Sequence, residues 1–313
     1  MKTVYGIGKL TKPIKNSILA IGVFDGVHIG HQNLIDYIVK QAKKKKSKAV
    51  VLTFSPHPVH VLRPEKFLPL IVPLERRLNL MEEYGVDVVV VARFSKKFSQ
   101  MSPAKFIKRY IGEGIMPQEV VVGDDFKFGA GREGTLEFFK EEGVKYNFKV
   151  KPIGCLKNVD DKIGSTMIRN FITDGELKKA AKYLGRTFAI EGVVQKGFKR
   201  GAGLGFPTAN IYPGDMLLPP DGAYAVCVTV GNKIYKGMAN VGYCPTFRRG
   251  EPLKSVEINI FSFKQNIYNK KIKVEFIKYI RSEEVFASAE ELKKQLEEDK
   301  VKSLKYLSKR STK

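Results

Sequence analysis

The stretch Ile18–Gln32 constrains the fold of the N-terminal half of this chain more than any other. Its apolar run, Ile18–Phe24, shows no alternation, which is typical of a strand buried on both faces of a parallel sheet. Asp25-Gly26 ends the run, and apolar residues then recur at helical spacing over residues 33–42. The sequence therefore predicts a strand, a tight turn and a helix in succession.

Three residues of this stretch lie at the predicted start of the helix: His28, Gly30 and His31. A helix N-terminus presents unpaired backbone N–H groups, and a glycine lets a phosphate approach the main chain closely. Each histidine could also donate a hydrogen bond to a phosphoryl oxygen. The turn is therefore a candidate anion site. The structural alternative is an ordinary strand–glycine–helix junction with two surface histidines.

The composition limits the class of protein. A length of 313 residues predicts about two domains, and a hydrophobic share of 43% indicates that they are globular. No apolar run is long enough to span a membrane, and the first residues lack the apolar core of a signal peptide, so we expect a cytoplasmic protein. The three cysteines, Cys155, Cys227 and Cys244, are too far apart to predict a disulfide or zinc framework.

The histidines and the basic charge suggest two further partners, which other features disfavour. The four histidines form two pairs, His28 with His31 and His57 with His60, but a proline interrupts the second pair and no cysteine or carboxylate cluster accompanies either. We therefore do not expect zinc. The net charge of +23 is spread along the chain, with one block at Lys43–Lys46. A lysine-rich surface and polyphosphate substrates explain this charge without nucleic acid.

Residues 1 to about 172 alternate between predicted strands and helices, which is typical of an α/β fold with a largely parallel sheet. The predicted strands are Ile18–Phe24, Ala49–Phe54, Val86–Ala92, Val120–Val122 and Phe148–Ile153. The predicted helices are Asn33–Ala42, Leu74–Tyr84, Pro103–Ile111 and Thr135–Glu142. Ligands bind such sheets beyond the carboxyl ends of the strands, so the loops at those ends are informative.

Two of these loops carry candidate ligand contacts. Prolines flank His57 after the second strand and fix a rigid loop, which could line a nucleotide site or hold a packed structural histidine. After the fourth strand, Asp125 precedes Phe126 and lies close to Phe128. The two phenylalanine rings could stack on a purine or flavin ring, or could simply pack in the core.

A second helix start follows at Ser165-Thr166, with Arg169 one turn further on. The hydroxyl residues are typical of an N-cap, and Arg169 could reach a phosphate held at that helix start. Without other information, this pattern fits any capped helix. A helix predicted at Glu176–Leu184 then ends at a glycine, which fits a boundary between domains 1–184 and 185–313.

Residues 185–313 differ in pattern, because strands follow one another with Gly, Asn and Pro turns between them. Such a succession predicts an antiparallel barrel. The predicted strands are Phe188–Val194, Tyr224–Val230, Ile234–Val241, Ser255–Phe261 and Lys271–Ile280. A capping box at residues 288–291 begins a final helix. The apolar positions of this helix that are predicted to cover the barrel are Leu292, Leu296, Leu304 and Leu307.

The glycine-rich stretch Arg200–Asn210 is the candidate chemical motif of this half. It is neither a Walker loop nor a dinucleotide fingerprint, because no Gly-Lys-Ser/Thr follows and a proline blocks the required helix. A flap followed by Thr208 and Asn210 could still wrap phosphates and hold Mg²⁺ through oxygen ligands; a plain hairpin is the alternative. Glu257 lies on a predicted strand, where a carboxylate on an exposed face would be an ordinary surface residue.

Motifs in both halves resemble the bacterial bifunctional riboflavin kinase/FAD synthetase family. In the N-terminal half, the similar stretches are the His-x-Gly-His signature, Phe-x-Pro-His-Pro, Val-Gly-x-Asp-Phe-x-Phe-Gly and Ser-Ser/Thr-x-Ile-Arg, at residues 22–32, 54–58, 122–129 and 164–169. In the C-terminal half, they are Gly-Phe-Pro-Thr-Ala-Asn, Asn-x-Gly-x-x-Pro-Thr, Val-Glu-x-His and Arg-x-Glu-x-x-Phe, at residues 205–210, 240–246, 256–259 and 281–286.

The resemblance implies a Rossmann-like nucleotidyltransferase domain that converts FMN and ATP to FAD and pyrophosphate, and a barrel that converts riboflavin and ATP to FMN with Mg²⁺. The implied catalytic residues are His28, His31, Arg169 and Glu257. The implied nucleotide-binding residues are Gly22, Phe24, Asp25, Gly30, His57, Asp125, Ser165, Thr166, Gly205, Pro207, Thr208 and Asn210. The implied flavin-binding residues are Phe126, Phe128, Arg281 and Glu283, and the implied Mg²⁺ ligands are Thr208 and Asn210.

Five residues depart from the family's pattern. Gly164, Ala202, Asn259, Ser262 and Asn269 stand where the family has Ser, Arg, His, Asp and Gly. The first two changes remove a hydroxyl contact and a cation near the phosphates. Two other functions stay open: a nucleotidyltransferase for another phosphate with a degenerate second domain, and a basic nucleic-acid-binding protein. We expect small-molecule partners without nucleic acid or membrane, and a monomer or weak self-association.

Overall fold

The computed structural model describes residues 1–154, 157–158, 161–197, 200–244 and 253–308. Cys155 and residues 245–246 of the predicted kinase motif lie outside the described residues, as do the side chains of Ala202 and Cys244. The chain packs into two compact units, Met1–Ser165 and Thr166–Lys313. The domain boundary predicted after residue 184 stays a prediction.

The N-terminal unit is built on a six-stranded parallel sheet. Its strands are β1 (Lys2–Tyr5), β2 (Ser17–Ile21), β3 (Lys48–Ser55), β4 (Val88–Arg93), β5 (Glu119–Gly123) and β6 (Lys149–Ile153), and a small hairpin of β7 (Lys157–Asn158) and β8 (Asp161–Lys162) follows. The helices are α1 (Ile29–Lys44), α2 (Pro58–Leu62), α3 (Leu74–Glu83), α4 (Lys96–Ser99), α5 (Pro103–Phe106) and α6 (Leu136–Lys145). The strand order is β1-β4-β3-β2-β5-β6, which confirms the predicted α/β class.

The central strand β2 is covered on both faces, which explains its unbroken apolar run. Ile18 and Ala20 belong to the core on the side of α1 and α3. Leu19 and Ile21 belong to the other core, with residues of α5 and α6. The chain leaves β2 on one side toward β3 and returns on the other side at β5, so the strand order reverses next to β2. The carboxyl end of β2 is therefore the switch point at which open α/β sheets bind ligands.

Three details of the N-terminal unit differ from the sequence prediction. The prediction that β2 extends to Phe24 is wrong, because Phe24 has a φ of 56°, which strand residues do not adopt. The helix predicted at Pro103–Ile111 changes after α5 into a π-helix that extends over Ile107–Ile115. Strand β1 was not predicted.

The C-terminal unit is an antiparallel barrel with a terminal helix, as predicted. It begins within α7 (Ser165–Thr173) and continues through α8 (Leu177–Leu184), β9 (Ala189–Val193), α9 (Arg200–Gly203), β10 (Ala209–Ile211), β11 (Gly222–Val230), β12 (Lys233–Cys244), β13 (Leu253–Ile260), β14 (Lys271–Arg281) and α10 (Ala289–Leu307). The strand order is β10-β13-β12-β11-β14-β9. An isolated antiparallel bridge between Gln195 and Asn210 joins the two edges, so the sheet closes on itself.

Helix α10 packs against the barrel through a mixed face. Ser288 caps it by accepting a hydrogen bond of 3.2 Å from the backbone N–H of Glu291. Leu307 is buried as predicted, whereas Leu304 is 38% exposed, so the prediction that Leu304 covers the barrel is wrong. A polar residue, Asp299, is buried on this face instead because Arg281 of β14 pairs with it.

Candidate functional sites

The turn between β2 and α1 brings the two predicted histidines together. His28 is the N-cap of α1, and its Nδ1 accepts a hydrogen bond of 3.4 Å from the backbone N–H of His31. The two rings stack with their centroids 3.6 Å apart. Gly30 allows this arrangement, because a Cβ atom there would lie 3.1 Å from Cε1 of His28. A neutral His28 that accepts at Nδ1 carries its hydrogen on Nε2, which makes that nitrogen a donor.

Two more predicted residues shape the backbone of this turn. The carboxylate of Asp25 is buried and accepts hydrogen bonds from the backbone N–H groups of Ile71, at 3.2 Å, and Val72, at 3.4 Å. The Ser165 hydroxyl donates to the main-chain oxygen of Asp25 at 2.9 Å. Asp25 and Ser165 therefore lie at the predicted site, where both bind protein main chain.

An apolar cavity of about 740 Å³ opens next to the turn. His31 and Gly22 line one part of it, and Gly22 also leaves room for the Phe24 ring, which would lie 3.1 Å from an added Cβ. The cavity residues after β5 include Asp125, Phe126 and Phe128, together with the basic residues Lys127 and Arg132. The remaining wall is mostly apolar and includes Phe54, Pro58, Leu62, Phe94, Phe98, Met101 and Phe106.

Phe126 and Phe128 pack in the core and also line the cavity, whereas their stacking on a ligand ring stays a prediction. The rings line the cavity and are stacked on each other with centroids 5.4 Å apart. They also contact Phe139 in the core, at centroid distances of 6.0 and 4.9 Å. A ligand ring in this cavity would therefore meet aromatic walls that the core holds in place.

The remaining predicted residues of this site are placed less directly. His57 caps α2, since its Nδ1 accepts a hydrogen bond of 3.2 Å from the backbone N–H of Val59. Pro58 of this helix lines the cavity, but His57 does not belong to the lining residues. Thr166 and Arg169 lie in the first turns of α7. Nucleotide contacts of His57, Thr166 and Arg169 stay predictions.

In the barrel, Glu257 lies on β13 between two asparagines. It is paired with Asn210 on β10 and with Asn240 on β12. Residues paired directly across antiparallel strands project to the same face of the sheet, so the three polar side chains share one face. Asn210 is 3% exposed, and its amide packs so closely on Gly197 that a Cβ atom there would lie 2.2 Å from Nδ2.

The glycine-rich stretch forms α9 and a tight loop that leads into β10. Gly205 has a φ of 85°, which favours glycine. The carbonyl oxygen of Pro207 accepts a hydrogen bond of 2.7 Å from Nδ2 of Asn259. Asn259 is buried and is one of the departures from the family's pattern. Its hydrogen bond holds Pro207, the residue directly before Thr208.

Two cavities of the barrel meet at Thr208. The first, of about 340 Å³, is lined by polar residues that include Glu257, Asn259, Arg281 and Glu283. The second, of about 380 Å³, is lined by residues that include Phe263, Lys264, Asn266 and Tyr268. Thr208 lines both. A hydroxyl between a carboxylate-bearing cavity and an aromatic cavity suits the transfer of a group between two bound ligands.

Arg281 and Glu283 line the first cavity and are held by protein partners. Nη2 and Nε of Arg281 lie 2.9 and 3.0 Å from Oδ2 of Asp299, and its guanidinium lies over the Phe286 ring. Oε1 of Glu283 accepts a hydrogen bond of 2.8 Å from Nδ2 of Asn240. Flavin contacts of Arg281 and Glu283 stay predictions.

Sequence reasoning missed several residues that line the cavities. Phe94 and Phe98 follow the carboxyl end of β4, so the strand-end rule that selected the His57 loop would have found them. Phe263 and Tyr268 lie in a turn that sequence reasoning did not connect with a site. Asp299 gave no signal, because an acidic residue in a lysine- and glutamate-rich helix is typical of a solvent face.

The donor atoms of the described residues decide which metal ion the protein can hold. No group of three His, Cys, Asp or Glu side chains suited to a metal occurs in the parts of the chain that the structure describes. Thr208 and Asn210 instead offer a hydroxyl and an amide oxygen next to Glu257. Oxygen donors are what Mg²⁺ prefers, and this ion usually keeps water and substrate phosphates as further ligands. The residues present therefore fit Mg²⁺.

The α/β unit has a helix N-terminus suited to binding phosphate, and the barrel has a second site suited to group transfer. Together these features define a two-site nucleotide-dependent transferase. Known proteins agree with this class. A family model described as FAD synthetase matches residues 11–167, and one described as riboflavin kinase matches residues 184–307. The chain belongs to the family of bifunctional riboflavin kinase/FMN adenylyltransferases.

Individual relatives are similar over nearly their whole length. The bifunctional riboflavin kinase/FMN adenylyltransferase of Bacillus subtilis is 39% identical, with 93% of each chain covered. The Escherichia coli K12 protein of the same name is 34% identical, with 96% of each covered. A crystal structure described as a macrolide-efflux protein from Streptococcus pneumoniae is 31% identical with a TM-score of 0.85, covering 97% of this chain and 99% of that one. Within the described residues, this chain has no helix long and apolar enough to cross a membrane.

Proposed function

We propose that this chain makes FAD from riboflavin in two steps, each in its own unit. The barrel phosphorylates riboflavin with ATP to FMN, and the N-terminal unit adenylylates FMN with a second ATP to FAD. One observation carries the proposal: each unit has its own cavity next to groups suited to phosphate chemistry, the stacked histidines in one and Thr208 with Glu257 in the other.

In the barrel, riboflavin occupies the cavity that contains Glu257. The adenine of ATP occupies the aromatic cavity and stacks on Phe263 or Tyr268, so that the two ligands meet at Thr208. Glu257 accepts the proton of the primary hydroxyl of riboflavin. The hydroxyl oxygen bonds to the γ-phosphorus, the bond from that phosphorus to the bridging oxygen breaks, and ADP leaves.

The loop before β10 holds the phosphates. Thr208 and Asn210 would hold Mg²⁺, which when bound would neutralise charge on the phosphate oxygens. Gly205 and Pro207 shape the flap around the nucleotide. Asn259 keeps Thr208 in place through its hydrogen bond to Pro207. Arg281 and Glu283, which line the same cavity, contact the flavin there.

In the N-terminal unit, the flavin ring of FMN packs against the aromatic wall formed by Phe126 and Phe128. A phosphate oxygen of FMN bonds to the α-phosphorus of ATP, the bond to the β-bridging oxygen breaks, and pyrophosphate leaves. His28, His31 and the backbone N–H groups at the start of α1 stabilise the negative charge that develops. Positioning and electrostatics suffice, and no covalent nucleophile is required.

Other parts of the proposal rest on the sequence motifs alone. These motifs support phosphate contacts of Thr166 and Arg169 and a nucleotide contact of His57. We also infer that the chain acts in the cytoplasm on small molecules, without nucleic acid, as a monomer or with weak self-association.

Product analysis of the purified full chain tests the proposal. Incubation with riboflavin, ATP and Mg²⁺, followed by chromatography with fluorescence detection, should show FMN first and FAD later. Omission of Mg²⁺ should stop FMN formation. FMN without FAD, even after FMN is supplied, would refute the adenylyltransferase, and no FMN from riboflavin would refute the kinase.

A further inference from the structure

The turn that begins α1 has a backbone conformation that its residues do not favour. Phe24 and Val27 have φ values of 56° and 40°, and Gly26 between them has a φ of 84°. Residues other than glycine rarely adopt this left-handed region. Such conformations persist at functional sites only when the surrounding structure fixes them. The contacts of this turn must therefore hold it in this conformation.

One of these contacts comes from a buried arginine of α3. Arg77 is 2% exposed, and its Nη1 donates a hydrogen bond of 2.5 Å to the main-chain oxygen of Val23. The same oxygen accepts a hydrogen bond of 3.1 Å from Oγ1 of Thr53. Val23 lines the N-terminal cavity together with His31. The arginine thus acts on the cavity wall through the backbone.

Arg77 also interacts with the same turn through the opposite charge of Asp25. Burial lowers the pKa of Arg77, and the negative charge of Asp25 acts in the opposite direction. Asp25 is also 2% exposed, and its carboxylate binds the N–H groups of Ile71 and Val72, which precede α3. Arg77 therefore supports both the carbonyl of Val23 and the carboxylate of Asp25.

We propose that Arg77 is a positioning residue for adenylyl transfer. It fixes the backbone at Val23–Asp25, and this backbone sets where α1 begins and where His28 and His31 stand. Arg77 is buried and does not belong to the cavity lining, so it acts through the turn and not on the substrate. This inference rests on the function proposed for the N-terminal unit.

Arg77→Met and Arg77→Lys test the inference, with Arg76→Met as the matched control. Arg76 is the neighbouring arginine, but its Nη1 pairs with Glu83 at 2.7 Å and it does not take part in the proposed site. Because small displacements of catalytic groups cost up to about 100-fold in rate, we expect Arg77→Met to lower kcat for FAD formation from FMN by about 10- to 100-fold. KM for ATP should change less, and FMN formation by the same chain should keep its rate.

Arg77→Lys separates positioning from a general structural effect. Lysine keeps the positive charge next to Asp25 but lacks the guanidinium fork, so kcat should lie between those of Arg77→Met and the unaltered chain. An unaltered kcat in folded Arg77→Met, or no recovery with lysine, would overturn the inference. If Arg77→Met unfolds, folded Arg77→Lys decides: a reduced kcat supports the inference and an unaltered one overturns it. An unaltered chain that makes no FAD would instead refute the proposed function.

Discussion

At each of the two sites, a single glycine leaves room for a functional side chain. In the N-terminal unit, Gly30 gives the His28 ring its place. In the barrel, Gly242 does the same for Glu283, since a Cβ atom there would lie 2.0 Å from Oε1 of that carboxylate. The absence of a Cβ atom at Gly30 and Gly242 therefore leaves the space that the His28 ring and the Glu283 carboxylate occupy.

Gly242→Ala tests the flavin contact of Glu283. The added methyl group displaces the end of a flexible side chain, so the barrel should remain folded while the carboxylate leaves its position. Loss of one hydrogen bond to a charged group predicts a KM for riboflavin about ten-fold higher, with KM for ATP unaltered. Steady-state FMN formation measures both constants, and FAD formation from supplied FMN is the internal control. An unaltered KM for riboflavin would exclude this contact.

Gly164→Ser tests the departure that precedes α7. No described heavy atom lies within 4 Å of a Cβ atom placed at Gly164, so the serine fits without a clash. Its hydroxyl can cap the helix and donate to a phosphate, which predicts a KM for ATP in FAD formation about three- to ten-fold lower. Initial rates at varied ATP measure the change, and KM for ATP in FMN formation should stay the same. A higher KM would show that position 164 does not face the phosphates.

Sequence motifs predicted the placement of some of these residues and not of others. His28 and His31 were predicted to share the first turn of α1, and their stacked rings confirm it. Arg77 could not be predicted, because it follows Arg76 in a charged helix where both positions resemble a solvated face. Its burial depends on the turn after β2, which is distant in sequence.

Among the elements, the C-terminal half of α1 and its C-cap residue are hydrogen-bonded to β5 through Glu119. Nζ of Lys45 and the hydroxyl of Tyr37 donate to the Glu119 carboxylate at 2.7 and 2.8 Å. Burial by itself raises the pKa of Glu119, but the hydrogen bonds from Lys45 and Tyr37 outweigh it, and the pKa lies below its usual value. Burial and the bond to Glu119 raise the pKa of Tyr37 to about 12. The network therefore favours an ionised Glu119 and a neutral Tyr37.

These pKa shifts predict how the stability of the N-terminal unit depends on pH. The lowered pKa of Glu119 contributes stability that is present above the usual value of 4.5 and is lost as pH falls below it. The raised pKa of Tyr37 contributes stability that is present below 10.0 and is lost as pH rises toward about 12. The network should therefore stabilise the unit most between these limits.

Glu119→Gln measures this contribution. The change should lower the free energy of unfolding at pH 7 by about 1–2 kcal/mol, since hydrogen bonds to a charged group are weakened. The difference from the unaltered chain should shrink below pH 4.5, as urea unfolding followed by circular dichroism would show. Glu113→Gln, at an exposed pair with Lys108 3.6 Å away, is the matched control. A difference that does not depend on pH would contradict the assignment.

Most elements were predicted from periodicity, and the errors have local causes. The end of β2 was misplaced because Gly22 and Phe24 continue an apolar pattern into a turn with positive φ. Strand β10 was missed since it has three residues, Ala209–Ile211, and depends on its pairing with β13. The π-helix at Ile107–Ile115 has the same apolar pattern as an ordinary helix over this short length.

For the molecule as a whole, the two units correspond to the two halves that differ in sequence pattern. The parallel sheet and the barrel were predicted correctly, because alternation of strands and helices differs visibly from a succession of strands. Helix α8, which ends at the predicted domain boundary, contacts β14 of the barrel. Such contacts between distant segments are not encoded in local patterns.

Separate sites for the two reactions are the central claim, and complementation between two variants tests it most directly. His31→Ala should convert riboflavin to FMN and stop there. Glu257→Gln should make no FMN from riboflavin but should convert supplied FMN to FAD. A mixture of the two proteins, given riboflavin, ATP and Mg²⁺, should form FAD, because FMN released by one is used by the other. A mixture that forms no FAD, or a single substitution that abolishes both reactions, would contradict the claim.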